Sequence, residues 1–288
     1  MSLYDQFVRD LAQSATLPSR PLVLGHLVSA LGSQDAGLRE IAHLVRQDPV
    51  LAGQVMRVAN SAAYAARREI LAVEDALMRI GLAHTRRLVL ALSLQNMVAS
   101  PGLLVHQQSF WEHSLGVAHA AEVVVRHAAP IPGIDEEAGY LLGLFHDVGL
   151  LALAGRYPNA LAEVQRFAER SELPYYAAEP SVLGTHHGAL GAALARYWNL
   201  PDLAIDVIRG HHGLEPVDAA LTPVLQVLQM AEGLSDQAGV TGPGEGWLAP
   251  IDPLGLDALG LRAECLEDLV WETRGAIELT SGALGYAR

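Results

Sequence analysis

Apolar residues recur at intervals of three and four along most of the chain, and strand-like alternation of β-branched with polar residues is scarce. That spacing gathers apolar side chains on one face of an α-helix, so the pattern predicts an all-α fold. "GLREIAHLVRQDPVLAGQVMRVANSAAY" predicts a helix from about residue 37, broken before Pro49, and a second helix to about Val58. Proline lacks a backbone N–H and disfavours helical geometry in the residue before it. "AVEDALMRIGLAHTRRLVLALSLQNM" predicts two more helices, divided near Gly81. "SPGLL" (100–104) reads as a turn and as the seam between two halves. "PIPGID" (130–135) reads as a loop in which Asp135 caps the helix that carries His146. "VTGPGEGWLAPIDPLG" (240–255) reads as an irregular connector into a final helix, roughly "AECLEDLVWETRGAIEL". The expected organisation is an N-terminal helical lobe (1–100), a second helical lobe (101–240), and a connector with a C-terminal helix packing back on them (241–288).

One stretch resists this simple patterning. "YLLGLFHDVGLLAL" (140–153) is apolar enough for any buried helix, yet His146 and Asp147 stand side by side in its middle. Burying an imidazole and a carboxylate among leucines costs several kcal/mol unless each finds a partner or a metal. Other helices repeat the anomaly. The inward stripe of "SFWEHSLGVAHAAEVVV" contains His113 beside Phe110, Ser114, Val117, Ala121 and Val124. "HHGALGAALARYW" brings His187 onto the stripe of Leu190, Gly191, Leu194 and Trp198. Ile205 and Ile208 lead to His211 and His212, and Glu232 shares a face with Leu225 and Leu228. A single histidine on an apolar face is ordinarily a core residue bonded to a carbonyl. The joint set of His113, His146, Asp147, His187, His211, His212 and Glu232 is different: these nitrogen and oxygen donors suit Zn, Mn or Fe.

Composition narrows the classes. The 288 residues are 51% hydrophobic, which supports a sizeable core and excludes wholesale disorder. Read as uninterrupted runs, no apolar segment reaches the roughly 18 residues of a membrane span. "MSLYDQFVRDLAQS" lacks the basic and apolar regions of a secretory signal, and the single Cys265 fits a reducing cytoplasm. No G-x-S-x-G elbow, Walker loop or G-x-G-x-x-G fingerprint occurs, and "GPGEG" in the connector is a weak match to any phosphate loop. The absence of a second cysteine argues against a thiolate zinc site.

The motifs, taken in order, resemble the HDOD family, the "HD-related output domain" proteins of bacterial signalling. The resemblance runs from about residue 16 to about 280. It rests on "LPSRPLVLGHLVSAL", "QDPVLAGQVMRVANSAAY", "VEDALMRIGLAHTRRLVLALSL", "FWEHSLGVA", "GYLLGLFHDVGLLAL", "HHGALGAALARYWNLPDLAIDVIRGHH" and "LQMAEGLS". It implies a second half similar to HD phosphohydrolases and HD-GYP phosphodiesterases, which hold one to three metal ions. The positions matching a first metal are His113, His146, Asp147 and Glu232, and those matching a further metal are His187, His211 and His212. A divalent ion (Zn, Mn, Fe or Mg) is therefore expected. Two departures stand out: Glu232 replaces an aspartate, and "HDVGL" puts Leu150 where HD-GYP enzymes carry a phosphate-contacting lysine. The G-Y-P motif is missing too, since "GLEPVDAA" follows His212.

The resemblance implies a non-catalytic signal-transduction output or scaffold module with a residual metal or polar pocket. A metal-dependent phosphohydrolase acting on nucleotides or cyclic dinucleotides is the alternative. Expected partners are proteins of a signalling pathway, with a nucleotide second messenger and homodimerisation left open, and neither membrane nor nucleic acid. No sensor, GGDEF, EAL or receiver segment is left over, so the chain is expected either to stand alone or to receive its signal from a separate protein. The net charge of -13 opposes binding to a phosphate backbone, although Arg67, Arg68, Arg79, Arg86 and Arg87 form a local basic stretch. Nucleic acid should therefore bind poorly and release steeply with salt. Sub-micromolar binding that survives about 0.2 M salt in a filter or anisotropy assay would contradict this.

Overall fold

A computed structural model describes residues 2–13, 37–64, 69–97, 107–240, 242, 251 and 253–284. Among them the secondary structure is helical, with no strand. The seam expected near 100–104, Arg67 and Arg68, and most of the connector at 240–255 lie outside the described residues. The chain forms two compact units: Met1–Pro18 with Val98–Arg274, and Ser19–Met97 with Gly275–Arg288.

The smaller unit shows how local chemistry sets helix ends. Helix α1 (Leu3–Gln13) belongs to the larger unit, and the first described helices of the smaller one are α2 (Leu38–Arg46) and α3 (Pro49–Ala59). Pro49 opens α3, and the Asp48 carboxylate accepts the N–H groups of Val50 and Leu51 at 3.0 Å each. Asn60 closes it and reaches ten residues ahead: its amide donates to Ile70 O at 3.0 Å and accepts from Ile70 N at 2.8 Å. That clamp fixes the loop before α4 (Val73–Ile80). Gly81, at φ 83°, turns the chain into α5 (Leu82–Met97), a conformation that a side chain would strain. Ile41, Val45, Leu51, Val55, Leu77 and Leu90 fill the core.

The larger unit is built on α6 (Gln107–His127), whose side chains from Val117 to Val124 are buried all round. A helix buried on every face has neighbours on every side. Against it lie α7 (Glu136–Phe145) and α13 (Thr222–Gln237). Asp135 caps α7 by accepting the Ala138 N–H at 2.8 Å. Next in the chain come α8 (Val148–Arg156), α9 (Pro158–Ser171), α10 (Tyr175–Leu183), α11 (His187–Tyr197) and α12 (Asp202–Gly210). After α13, α14 (Pro253–Ala258) leads to α15 (Leu266–Leu284). Arg126 joins three elements through Glu122 on its own helix, Glu136 on α7 and Glu272 on α15. α1 contributes Phe7 and Leu11 to this core, and its Asp10 accepts from Tyr157 Oη at 2.9 Å.

Two readings from sequence need revision. The stretch expected to be one helix through His146 divides there: α7 ends at Phe145, His146 is its C-cap, and Asp147 precedes α8. Glu136–Arg156 also reaches the length and mean hydropathy (1.4) of a membrane span. Counting uninterrupted apolar runs misses it because His146 and Asp147 break the run. In the fold 83% of that window is buried inside the protein.

Two glycines allow the helices to come close. A Cβ on Gly143 would lie 2.6 Å from Val117 O on α6, and one on Gly149 would lie 1.9 Å from His187 O on α11. Gly149→Ala must push α8 off α11 and should cost about 1–3 kcal/mol, the range of core overpacking. Gly53→Ala, with open space around its Cβ at an exposed position of α3, should instead stabilise by roughly 0.5–1 kcal/mol. Equal urea midpoints for the two variants would contradict the close approach.

Candidate metal centre

His146 and His211 are held by the same local device. Each follows directly after a helix, α7 or α12, as its C-cap. The Nδ1 of His146 lies 2.7 Å from Gly143 O, and the Nδ1 of His211 lies 2.7 Å from Ile208 O. A carbonyl can only accept, so both Nδ1 atoms carry hydrogen. One late carbonyl of each helix is thereby satisfied, and each ring turns its Nε2 inward. His187, at the first position of α11, is held from outside the helix: its Nδ1 donates to Glu179 Oε2 at 2.8 Å.

These inward nitrogens meet at Asp147. Its Oδ1 lies 3.2 Å from His187 Nε2 and 3.3 Å from His211 Nε2. Its Oδ2 lies 3.2 Å from His146 Nε2 and 3.5 Å from His113 Nε2. The imidazoles approach one another as closely, His113 to His146 at 3.2 Å and His187 to His211 at 3.1 Å between Nε2 atoms. Glu232 reaches in from α13, with Oε1 3.9 Å from His146 Nε2. His212 completes the far wall, its ring 4.0 Å from that of His211 and stacked on Tyr176 at 4.1 Å and 9°. Asp147 thus stands between two compartments, one with His113, His146 and Glu232, the other with His187, His211 and His212. All seven polar residues singled out in the sequence come together here.

The donor set fits a divalent metal. With Nδ1–H committed to fixed acceptors, Nε2 of His187 and His211 would face each other as lone pairs at 3.1 Å, which requires a cation between them. That cation is either a proton on one ring or a metal ion. Among the described residues, neither oxygen of Asp147 receives a well-directed hydrogen bond. Nitrogen with carboxylate oxygen and no thiolate suits Zn, Mn or Fe; Mg, which favours all-oxygen ligands, fits less well.

The electrostatics follow from burial and proximity. Burial pushes the Asp147 carboxyl up, but His146, with His113 and His187, outweighs it and holds the group well below the ordinary carboxylate range. Burial likewise opposes charge on His187, yet Glu179 and Asp147 hold it well above the ordinary imidazole value. Burial takes His211 down to about 4 and His212 well below its usual range.

Sequence reading missed Glu179 and Tyr176. Glu179 is a carboxylate in the apolar run "YYAAEPSVL", the same signal that marked Asp147, but one acid before a proline reads as a helix end. Tyr176 carries no sequence signal, because its partner His212 is 36 positions away and meets it only through the fold.

Comparison with known proteins bears on this geometry. The family model for the HDOD domain matches residues 17–214. An uncharacterized protein of Treponema pallidum (strain Nichols) is 24% identical over 215 residues, 75% of this chain and 41% of that protein. The chain therefore spans about two fifths of the length of that relative. An HDOD domain protein of Geobacter sulfurreducens superposes with a TM-score of 0.72 at 24% identity, over 95% of this chain and 96% of that one. A protein of Marinobacter aquaeolei VT8, assigned by name to signal transduction, gives 0.77 at 24% identity over 99% and 62%. One of Shewanella amazonensis SB2B, named as a phosphohydrolase, gives 0.69 at 22% identity over 98% of each chain. At these identities the structures share the fold.

The buried imidazoles give the metal-free protein a pH signature. His211 and His212 are neutral when folded and protonate near 6.5 when unfolded, so their contribution is complete above about 6.5. It is lost as the pH falls toward about 4. His187 has the opposite sign: its contribution is complete below about 6.5 and is lost as the pH rises through its raised folded value. Urea midpoints of chelator-treated protein should fall between pH 6.5 and 4, and less steeply in His211→Gln. Identical slopes in the two proteins would contradict neutral burial of His211.

Proposed function

The chain belongs to the HDOD domain family, and from that membership and the buried ligand set we propose that it is a non-catalytic signal-transduction output or scaffold module whose pocket holds a divalent metal. One observation carries this reading, the closure of the pocket. His113 and His146 are 0% exposed, Asp147 and His187 1%, and His211 2%. Glu232, at 12%, and the half-buried His212 are the ligands nearest to solvent. A phosphate ester could not approach Asp147 without helices moving apart. Nor does the first turn of α8 offer a cation, because Leu150 stands there, buried. Anion binding and transition-state stabilisation both need positive charge aimed at the phosphoryl oxygens.

In this reading His113, His146, Asp147 and Glu232 would hold one ion and Asp147, His187, His211 and His212 a second. A bound divalent ion supplies positive charge and Lewis acidity at the carboxylate. The chain's own residues orient the donors, exclude water and tie α6, α7, α11, α12 and α13 to one centre. The ion then serves as a clasp that keeps the larger unit in one arrangement for a protein partner to read. The alternative, a phosphohydrolase acting on nucleotides or cyclic dinucleotides, is favoured by the paired compartments on a bridging carboxylate, the layout of two-metal hydrolysis. A cytoplasmic setting accords with imidazole ligands and one half-buried thiol, Cys265.

Purified protein should carry roughly one or two divalent ions per chain by elemental analysis. Asp147→Asn should release them and lower the melting temperature, because one ligand shared by both compartments loses its charge. Metal-stimulated turnover of cyclic dinucleotides should stay far below about 1 per second, the low end of ordinary enzyme rates. Turnover at that rate, lost in Asp147→Asn, would overturn the non-catalytic reading in favour of the hydrolase.

A further inference from the structure

Glu179 lies outside the ligand set, yet it is buried at 0% exposure in α10 between Ala178 and Leu183. One of its oxygens, Oε2, accepts twice from the same residue, from the His187 backbone N–H and from His187 Nδ1–H, each at 2.8 Å. Its other oxygen, Oε1, receives no hydrogen bond among the described residues. A buried carboxylate is costly unless a positive charge compensates it. Here the contacts run to His187, whose far nitrogen faces Asp147 and His211.

We propose that Glu179 is a positioning residue for metal: it fixes hydrogen on His187 Nδ1, turns Nε2 toward Asp147, and raises the basicity of that nitrogen for the His187–His211–His212 compartment. The inference rests on the metal-holding role proposed above and adds a residue that acts through His187 without touching the ion. Carboxylate–imidazole–metal chains of this kind set the tautomer and orientation of the ligand, and losing the carboxylate typically costs 10–100-fold in metal affinity. The three rings are supported differently, and only His187 leans on Glu179. His146 and His211 lean on neutral carbonyls, whereas His187 leans on a full negative charge. The effect of Glu179 is therefore confined to one compartment.

A purely structural role competes with this one. Glu179 also satisfies the first N–H of α11, where a negative charge suits the helix dipole. Glu179→Gln separates the two, because its amide oxygen can still accept both hydrogens while the charge is gone. Zn(II) binding would be measured by chelator competition on the full chain for wild type, Glu179→Gln, Glu179→Ala and the surface control Glu136→Gln. Long-range ¹H–¹⁵N spectra would report which His187 nitrogen carries hydrogen. We expect two binding steps in wild type, one of them weakened 10–100-fold in Glu179→Gln and further in Glu179→Ala, with the other step unchanged. Glu136→Gln should match wild type. His187 should keep hydrogen on Nδ1 in wild type with and without Zn(II). Unchanged affinities in Glu179→Gln together with a lowered melting temperature would reduce Glu179 to a helix cap and overturn the proposal. Wild type that takes up no Zn(II) would remove the metal-holding role of the pocket. In that case a neutral His187 with hydrogen on Nε2 would independently overturn the positioning role, and hydrogen on Nδ1 would sustain it.

Discussion

The larger unit depends on where three imidazoles place one hydrogen each. His146 gives Nδ1–H to Gly143 O, His211 gives it to Ile208 O, and His187 gives it to Glu179. Each bond is short, and its acceptor is fixed by a helix: the ring's own for the two carbonyls, a neighbouring one for Glu179. The other nitrogen of each ring then has to point at Asp147. Five such groups with almost no access to water would be untenable as independent buried polar residues, because each unmatched one costs on the order of 1–3 kcal/mol. Together, around a carboxylate and a cation, they become the best-tied part of the unit.

That arrangement needs helices at unusually short range. The glycines are its precondition: Gly143 lets α7 lie against the backbone of α6, and Gly149 lets α8 lie against that of α11. Close approach at Gly143 brings His146 within reach of His113, and close approach at Gly149 brings Asp147 within reach of His187. The same tightness closes the pocket. A site designed for turnover has to admit a substrate and release a product, whereas five of these donors have almost no access to solvent. That closure is the feature on which the proposed non-catalytic reading rests.

Much of the fold is legible in the chain. Pro49 after Asp48, Gly81 between two periodic stretches, and Asp135 before α7 mark helix ends that the structure reproduces, because caps and breakers act within a few residues. The stripe with His113 is legible for the same reason: periodicity alone puts His113 on the side of Val117 and Ala121. The division at His146 was not legible, since the apolar run continues on both sides of it. The groups that His146 and Asp147 meet lie on α6, on α11 and at the end of α12, which no local window contains. Glu179 escaped because its role is defined by His187, and Tyr176 because it is defined by His212.

The sequence by itself therefore determined the all-α class, most helix boundaries, and the suspicion that polar groups on apolar stripes belong together. These follow from interactions spanning four residues or fewer, or from the plain cost of burying charge. Only the tertiary structure decided that Asp147 would stand between two groups of imidazoles and that the pocket would be closed to solvent. The carbonyls that take Nδ1–H from His146 and His211 lie only three residues back. What meets the other nitrogens depends on distances across contacts such as His113–His146 and His187–His211, 33 and 24 positions apart. Such distances are set by how closely the helices can pack, and two glycines, with nothing beyond Cα, permit that approach.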